Sequence, residues 1–289
     1  MSEPRMPSMS IPRLALFGRL TLLLCAWLAG LPAALAANGE IVLGVFPYLS
    51  PREMAEQFNP LREHLARSLG APVTLRSAPD FRAFAERTAQ GEYDFSFNAP
   101  QLARLAETRD GYLPIAQTGY RIRIIAVARK DSPVASLDDL RGRSISIGAR
   151  LSITHQVMRA ELMKRGLVLD RDVKYHDTAY FSNVLQSVIR GYADAGATGT
   201  LLWDGAPEAE RAQLKVIYRQ ERTVPGFIIA AHPRLGQNRV KAAREALFRF
   251  KDTPEGKAFF AQSRQVDFRP VDAATMKSLD PYTEMLRQP

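Results

Sequence analysis

Short apolar runs alternate with longer amphipathic runs along most of the chain. Segments such as "EIVLGVFPYL" (40–49) and "RSISIG" (143–148) are short, with β-branched or alternating apolar residues, which is typical of strands. Segments such as "QVMRAELMKRG" (156–166) repeat apolar residues every three or four positions, which is typical of helices. Because strands and helices follow one another in turn, the sequence predicts an α/β protein with largely parallel sheets.

The first predicted helix begins at "SPRE" (50–53). Ser50 has the side chain of an N-cap, Pro51 suits the first helical position, and Glu53 completes a capping box. The amphipathic pattern continues beyond this start, but Pro60 lies within it. Because proline removes a helical hydrogen bond and clashes with the preceding turn, we expect a break near Pro60.

The remaining predicted elements follow the same order. Further strands are predicted at 72–78, 93–100, within 112–130, and at 143–148, 173–179, 193–200, 214–220 and 226–233. Further helices are predicted at 80–91, 101–109, 155–165, 182–192, 236–251 and 254–264, and the last two close the chain.

Two α/β blocks predict two lobes with a cleft between them. The strand within 120–129 leads into the second block, and the strand at 226–233 leads out of it, so the chain crosses between lobes twice. We expect lobe 1 to contain 37–125 and 230–289, and lobe 2 to contain 126–229. Ligands in such sheets bind beyond the carboxyl ends of the strands.

The first part of the chain has the pattern of a secretory signal peptide. Its basic residues are Arg5, Arg13 and Arg19. The apolar run "LTLLLCAWLAGL" (20–31) follows, and "ALA" (34–36) is a small-residue cleavage site. An uncleaved membrane anchor is the alternative, but a bilayer needs about 20 apolar residues and this run is shorter. We therefore predict that residues 1–36 are removed and that the protein is periplasmic.

Charge favours a small anionic ligand over nucleic acid. The whole chain has a formal charge of +9, and removal of three arginines and Glu3 with the signal peptide lowers it to +7. The basic residues are scattered among acidic ones and form no cluster of the kind that binds nucleic acid. A mildly positive field favours anions.

The residue types exclude several kinds of site. Cys25 is the single cysteine and lies in the predicted signal peptide, so the mature chain has no disulfide, no thiolate nucleophile and no cysteine ligand for a metal. The chain has four histidines, and no two of them have zinc-ligand spacing. No G-x-S-x-G motif is present. We expect no metal, no cofactor and no catalysis, although an enzyme with His155 as a base is a less favoured alternative.

The stretch "LSITH" (151–155) lies at a predicted strand-to-helix turn. Its hydroxyl side chains suit the N-cap of a helix. They would also suit an anion site, because the free amides of a helix start point at whatever lies there. His155 is open to the same two interpretations, a surface or capping residue or a ligand contact.

Several segments together resemble the periplasmic solute-binding proteins of phosphate, phosphite and phosphonate ABC importers. The segments are "LGVFPY" (43–48), "APDFRAF" (78–84), "GEYDFSFNAP" (91–100), "ARKDSPVASLDDLRG" (128–142), "LSITH", "SNVLQSVIRGYADAGA" (182–197) and "TVPGFII" (223–229). The resemblance implies a two-lobed type II periplasmic-binding fold, α/β in class, with a central ligand cleft and two hinge crossings. It also implies a monomer that delivers a small oxyanion to a membrane permease.

The resemblance places three residues at the family's Ser-Thr-Ser turn, namely Ser152, Ile153 and Thr154, where Ile153 lacks the hydroxyl. Family members that bind aminophosphonates have a histidine and two acidic residues elsewhere. The matching positions here are Phe181, Leu201 and Phe227, so the resemblance implies a ligand without an amine.

The candidate ligand-binding residues include the Ser-Thr-Ser turn positions and several aromatic residues. Any one of the aromatic residues could instead belong to the core. The candidates are Tyr48, Phe81, Phe97, Asn98, Tyr120, Ser152, Ile153, Thr154, His155, Phe181, Ser182 and Phe227. Phe81 stands where the family has a tyrosine. The alternative to an importer component is a receptor that reports the ligand to a membrane sensor kinase, since both would use the same lobes.

Overall fold

The strands of the protein form two mixed sheets. The structure is a computed structural model that describes residues 39–178, 181 and 183–287. The strands are β1 (Ile41–Val45), β2 (Val73–Arg76), β3 (Phe95–Asn98), β4 (Leu113–Thr118), β5 (Ile124–Arg129), β6 (Ser144–Ile147), β7 (Lys174–Asp177), β8 (Ala195–Gly199), β9 (Leu214–Arg219), β10 (Ile228–Ala231) and β11 (Phe268–Arg269). The predicted signal peptide lies outside the described residues.

The helices lie between these strands and after them. They are α1 (Pro51–Leu69), α2 (Phe81–Ala89), α3 (Pro100–Asp110), α4 (Ile153–Met163), α5 (Asn183–Ile189), α6 (Thr200–Gly205), α7 (Glu208–Arg211), α8 (Gly236–Phe250), α9 (Pro254–Ser263), α10 (Ala273–Lys277) and α11 (Asp280–Arg287). Short 3₁₀ turns occur at Asp138–Leu140 and Pro233–Leu235.

The fold is the predicted two-lobed α/β type, with one sheet in each lobe. The six-stranded sheet has the order β11-β4-β10-β3-β1-β2, and the five-stranded sheet has the order β7-β6-β8-β5-β9. We call the lobes the six-stranded lobe and the five-stranded lobe. The predicted lobe boundaries, after residues 125 and 229, fall inside β5 and β10 and stay predictions.

The expectation of largely parallel sheets is wrong. β1 pairs in parallel with β2 and β3, and β6 pairs in parallel with β7 and β8. In contrast, β10 is antiparallel to β3 and β4, and β5 is antiparallel to β8 and β9. Parallel neighbours need a crossover, usually a helix, whereas β5 and β10 enter their sheets directly from the other lobe.

Helix α1 is continuous, so the predicted break at Pro60 is wrong. The capping box at its start is confirmed, because Ser50 Oγ accepts from Glu53 N and the Glu53 carboxylate accepts from Ser50 N. Pro60 removes one helical hydrogen bond, but Phe58 and Leu61 on either side of it are fully buried. Their packing holds the helix together across the proline.

The six-stranded lobe has the larger core, and much of it is aromatic. The Phe58 ring packs edge-on against Phe97 at 4.8 Å and against Phe259 at 5.6 Å between ring centroids. The five-stranded lobe has its own core on both faces of its sheet, with Met158 and Leu162 of α4 on one face and Val188 of α5 on the other. Each lobe therefore buries apolar residues of its own.

The predicted strand material within 112–130 divides into β4 and β5, and the first crossing lies between them. This crossing is hydrogen-bonded to the second: Thr118 N donates to Phe227 O at 2.8 Å, and Ile122 pairs with Val224. A Cβ at Gly226 would overlap the carbonyl oxygen of Tyr120. The glycine therefore lets the two crossings lie side by side.

The sequence predicted that α9 would be the last element of the chain, and this is wrong. Strand β11 adds to the edge of the six-stranded sheet beside β4, and α10 and α11 follow it. Met276 and Leu279 are buried against Ala103 and Ile228. Within residues 39–287, apart from the few positions that are not described, no helix is both long and apolar enough to cross a membrane.

Candidate ligand-binding site

The start of α4 is built as the sequence predicted for an N-cap. Ser152 has extended backbone angles, φ −73° and ψ 153°, and its Oγ accepts from His155 N at 3.1 Å. The amides of Ile153 and Thr154 occupy the first two helical positions, where a helix offers no internal acceptor. The capping role of Ser152 is confirmed, and two amides remain available to an acceptor.

A small cavity of about 70 Å³ lies at this helix start, between the two lobes. Its lining residues come from both lobes and from both crossings. They are Phe46, Tyr48, Phe81, Ala99, Ile122, Ser152, Ile153, Thr154, Phe181, Gly199, Leu201, Leu202 and Phe227. The space holds only a few water-sized groups, since about 10–15 Å³ is needed for one water molecule on this measure.

Five of the residues that line the cavity are aromatic, and their rings pack against one another. Phe46 stacks on Tyr48 with ring centroids 4.6 Å apart and meets Phe227 edge-on at 5.1 Å. Across the cleft, Phe81 of the six-stranded lobe contacts Phe181 of the five-stranded lobe at 6.0 Å. A Cβ at Gly148 would overlap the Phe181 ring, so glycine gives that ring its place.

The polar groups of the lining are neutral. They belong to Ser152, Thr154 and Tyr48, and nearly all of the surface that the lining presents to the cavity is apolar. The Tyr48 oxygen accepts from Gln57 Nε2 at 2.8 Å, and burial raises the pKa of Tyr48, so the phenol keeps its proton and can donate it. The described lining residues include no charged side chain. An anion here would be held by hydrogen bonds and the positive end of the α4 dipole.

The structure brings together seven of the twelve candidate residues: Tyr48, Phe81, Ser152, Ile153, Thr154, Phe181 and Phe227 all line the cavity. All three positions at which the sequence departs from aminophosphonate binders, Phe181, Leu201 and Phe227, also line it.

Four other candidates lie outside the cavity lining. Phe97 is fully buried behind it, with its ring 5.4 Å from Phe227. Asn98 is fully buried in β3 and donates to Ser96 Oγ at 2.9 Å. The Tyr120 hydroxyl bonds Thr200 Oγ1 at 2.6 Å.

His155 is the fourth, and it lines a different pocket. It is only 5 % exposed, and its ring meets Tyr175 edge-on at 5.1 Å. Burial, followed by the charges of Arg150 and Arg159, lowers the pKa of His155 to about 4. The imidazole is therefore neutral at physiological pH. The twelfth candidate, Ser182, lies outside the described residues.

Several lining residues did not stand out in the sequence. Phe46, Ala99, Ile122, Gly199 and Leu202 belong to this group. Phe46 follows β1 directly and Gly199 ends β8, so the rule that ligands lie beyond strand ends could have indicated both. Ile122 lies in the first crossing, and nothing in the local pattern distinguishes it from a core residue. No group of three or more histidine, cysteine, aspartate or glutamate residues suited to a metal occurs in the described part of the chain.

Comparison with protein families identifies the chain. The family model described as "ABC transporter, phosphonate, periplasmic substrate-binding protein" matches residues 43–276. The chain belongs to this family. The match spans both lobes and both crossings of the phosphonate-binding-protein fold, from within β1 to α10. The resemblance that the sequence motifs indicated is therefore confirmed.

Solved structures of similar proteins share the fold of this phosphonate-binding-protein family member. PhnD1 from Prochlorococcus marinus, in complex with methylphosphonate, has a TM-score of 0.76 and 14% identity over 86% of this chain and 98% of its own. A binding protein component of an ABC phosphonate transporter from Pseudomonas aeruginosa has a TM-score of 0.75 and 19% identity, covering 85% and 86%. A Xanthomonas citri protein bound to chloride ion has a TM-score of 0.75 and 22% identity, covering 86% and 98%. No curated protein matches the sequence.

Proposed function

We propose that this binding protein captures a compact phosphorus oxyanion without an amine, such as phosphate, phosphite or a short alkylphosphonate, for an ABC importer. The observation that carries the proposal is the small cavity at the start of α4. Ser152 and Thr154, at the start of α4, are among its lining residues, and the surface that the lining presents is almost wholly apolar. An oxyanion would accept from the donors while a hydrogen or a short alkyl group on phosphorus contacts the wall.

The apolar wall also argues against an amine on the ligand. The residues at the three departure positions are Phe181, Leu201 and Phe227, and all are apolar. An ammonium group placed among them would lose its water without gaining a carboxylate, which costs several kcal/mol. The complex of PhnD1 with methylphosphonate, an amine-free ligand, is consistent with this choice.

Calorimetry with four ligands tests the proposal: methylphosphonate, phosphite, phosphate and 2-aminoethylphosphonate. We expect at least one of the first three to bind, and the amine to bind at least about tenfold more weakly than methylphosphonate. Equal affinity for the amine would refute the amine-free ligand. Absence of binding by all four would refute the phosphorus oxyanion itself.

A gain-of-function variant sharpens this test. Leu201→Glu places a carboxylate in the lining at a position where aminophosphonate binders have an acid, so 2-aminoethylphosphonate should gain affinity relative to methylphosphonate. Leu201→Gln has nearly the same shape without the charge and is the matched control. If both variants change the two affinities alike, then the missing acid does not determine the preference.

We further propose that the protein acts in the periplasm after removal of residues 1–36 and that its partner is a membrane permease. N-terminal sequencing of exported protein should find a start near Ala37. Deletion of the gene should abolish uptake of the radiolabelled ligand. A sensor-kinase receptor would instead leave uptake intact and abolish a transcriptional response, so the two roles are distinguishable.

A further inference from the structure

A second pocket between the lobes is larger than the ligand cavity and shares none of its lining residues. It has a volume of about 560 Å³. Helices α2 and α3 supply one side, and the loop before α4, α4 itself and the loop 168–170 supply the other. Gln101 of α3 donates to Leu151 O at 2.7 Å, so the two lobes are in direct contact at this place.

Four arginines line this pocket, two from each lobe: Arg82, Arg109, Arg150 and Arg159. Two of them are already engaged. Arg109 pairs with Asp110 at 2.6 Å, and Arg150 pairs with Asp170 at 2.8 Å while it lies over the Tyr175 ring.

The other two arginines, Arg82 and Arg159, form no ion pair with any side chain in the described part of the chain. Arg82 is exposed on α2, and Arg159 is half-buried on α4, so one belongs to each lobe. Glu86, one turn after Arg82, also lines the pocket, is exposed and pairs with neither of them.

Buried polar atoms without partners lie in the same wall. Both ring nitrogens of His155 and the Oε1 of Gln156 have no hydrogen-bond partner among the described residues, although His155 is 5 % and Gln156 3 % exposed. Such atoms are uncommon in folded proteins, and each one calls for an explanation.

The pocket also presents apolar surface. Leu102 and Leu105 of α3 are buried beneath it, while Met163 is 53 % exposed and Val168 37 % exposed at its edge. Exposed large apolar side chains beside unpaired guanidinium groups suit a ligand that has an apolar body and an anionic head.

We propose that this interlobe pocket is a second binding site, and that it takes an organic anion with an apolar body and a phosphate or carboxylate group bound by Arg82 and Arg159. The planar guanidinium fork matches both head groups. An anion bound by both arginines bridges the lobes, so its binding favours the arrangement in which they are in contact. The proposal does not depend on which ligand occupies the cavity at the start of α4.

Calorimetry at low salt with phenyl phosphate and with benzoate tests the site, and the two probes distinguish the head groups. The test variant is the double substitution Arg82→Gln, Arg159→Gln. The charge-matched control is Arg244→Gln, Arg249→Gln, which removes two exposed arginines from α8, outside the pocket. Melting temperatures of both variants verify that they are folded.

We expect the wild-type protein to bind at least one probe and the test variant to bind it at least about tenfold more weakly, since each charged hydrogen bond contributes about that factor or more. The control should change the affinity by less than about threefold, because surface charges act weakly at a distance. Failure of the wild-type protein to bind either probe at millimolar concentration would overturn the proposal. An equal loss in the control would overturn it as well, since the effect would then be one of net charge.

Discussion

Ser152 combines two interactions that substitution by alanine removes together. Its Oγ caps α4 by accepting from His155 N, and the residue lines the cavity where we propose that the oxyanion binds. Thr253 caps α9 in the same way, accepting from Gly256 N at 2.9 Å, but it is not among the cavity lining. The chain thus contains a matched residue that has the structural role alone.

We expect Ser152→Ala and Thr253→Ala to lower the free energy of unfolding by similar amounts, about 0.5–2 kcal/mol each. Ser152→Ala should also weaken oxyanion binding by about tenfold or more, and the combination Ser152→Ala, Thr154→Ala by that factor for each lost donor, whereas Thr253→Ala should leave binding unchanged. Urea denaturation and calorimetry measure the two effects separately. Unchanged affinity in the double variant would leave Ser152 as a cap and remove it from the ligand site.

The buried imidazole of His155 gives the protein a pH-dependent stability. The pKa of this group falls from 6.5 to about 4 on folding, mainly through burial. Below pH 6.5 the unfolded chain therefore takes up a proton that the folded chain does not take until about pH 4. Stability should be unaffected above pH 6.5 and should fall by up to about 3 kcal/mol as the pH drops from 6.5 to 4.

Urea denaturation at pH 7, 6, 5 and 4.5 measures this loss. His155→Leu should remove most of the slope between pH 6.5 and 4.5, whereas His176→Leu, at an exposed position of β7, should leave it. A residual slope is expected from His232, whose pKa burial also lowers. A wild-type curve that is flat in this range would contradict the neutral, buried state of His155.

At the scale of elements, α1 shows a long helix that is held together in spite of a proline. Pro60 lies in its interior and removes the hydrogen bond that an amide at that position would donate to the carbonyl of Glu56. Pro60→Ala should therefore raise the free energy of unfolding, by up to about 3 kcal/mol. Pro51→Ala, at the first helical position, should give no such gain, because no helical bond is missing there. Thermal and urea denaturation of the two variants decide the point.

The order and type of most elements could be predicted because each depends on its own segment. The capping box at Ser50 and the strand-to-helix turn at Ser152 both form as local patterns indicate. The break that the sequence predicted at Pro60 does not occur, because the buried side chains of Phe58 and Leu61 hold the helix in place. Helix propensity does not include this tertiary packing. Strand β10 is antiparallel to its neighbours because the chain enters the sheet from the other lobe. A short segment of sequence does not contain this information.

Lining residues at strand ends and helix starts could be predicted from the sequence. Lining residues in the two crossings between the lobes were harder to predict. Ser152 and Thr154 follow from the helix start. Ile122 lines the cavity because the first crossing lies beside the second, a long-range contact with Val224. Tyr120 lies two residues after the end of β4, outside the cavity lining, and its hydroxyl bonds Thr200 Oγ1, so its place at the ligand stays a prediction.

At the scale of the whole molecule, one of the hydrogen bonds between the lobes lies beside the second pocket. Gln101 is fully buried and donates to Leu151 O in the other lobe. Gln101→Ala removes this donor and leaves the carbonyl without it, so the closed arrangement loses about 0.5–1.5 kcal/mol. Because both lobes line the cavity, a ligand bound there would favour the arrangement in which the lobes are in contact, and its affinity should fall by about two- to tenfold.

Small-angle scattering with and without methylphosphonate should show compaction of the wild-type protein on binding, and the Gln101 variant should need more ligand to reach the same compaction. Gln117→Ala is the matched control, because Gln117 donates to Pro270 O within the six-stranded lobe. If Gln117→Ala shifts the ligand dependence of compaction as far as Gln101→Ala does, the hydrogen bond from Gln101 to Leu151 O does not stabilise the closed arrangement.

Phe81 lies between two spaces of very different size. Its ring lines the cavity of about 70 Å³ and also a groove of about 640 Å³ formed with Leu49, Leu75 and Ala149. A phosphonate substituent that outgrew the cavity would meet this ring before it reached the groove.

If the ligand is the proposed alkylphosphonate, the Phe81 ring limits the length of the substituent, so one substitution should alter the substrate range. Phe81→Leu, and more strongly Phe81→Ala, should admit butylphosphonate while weakening methylphosphonate, as measured by competition calorimetry. A core truncation of this size costs about 3–5 kcal/mol of stability, so the leucine variant serves if the alanine variant unfolds. A lineage could in this way acquire longer substrates through a single codon change, with the anion-binding end of the site left as it is.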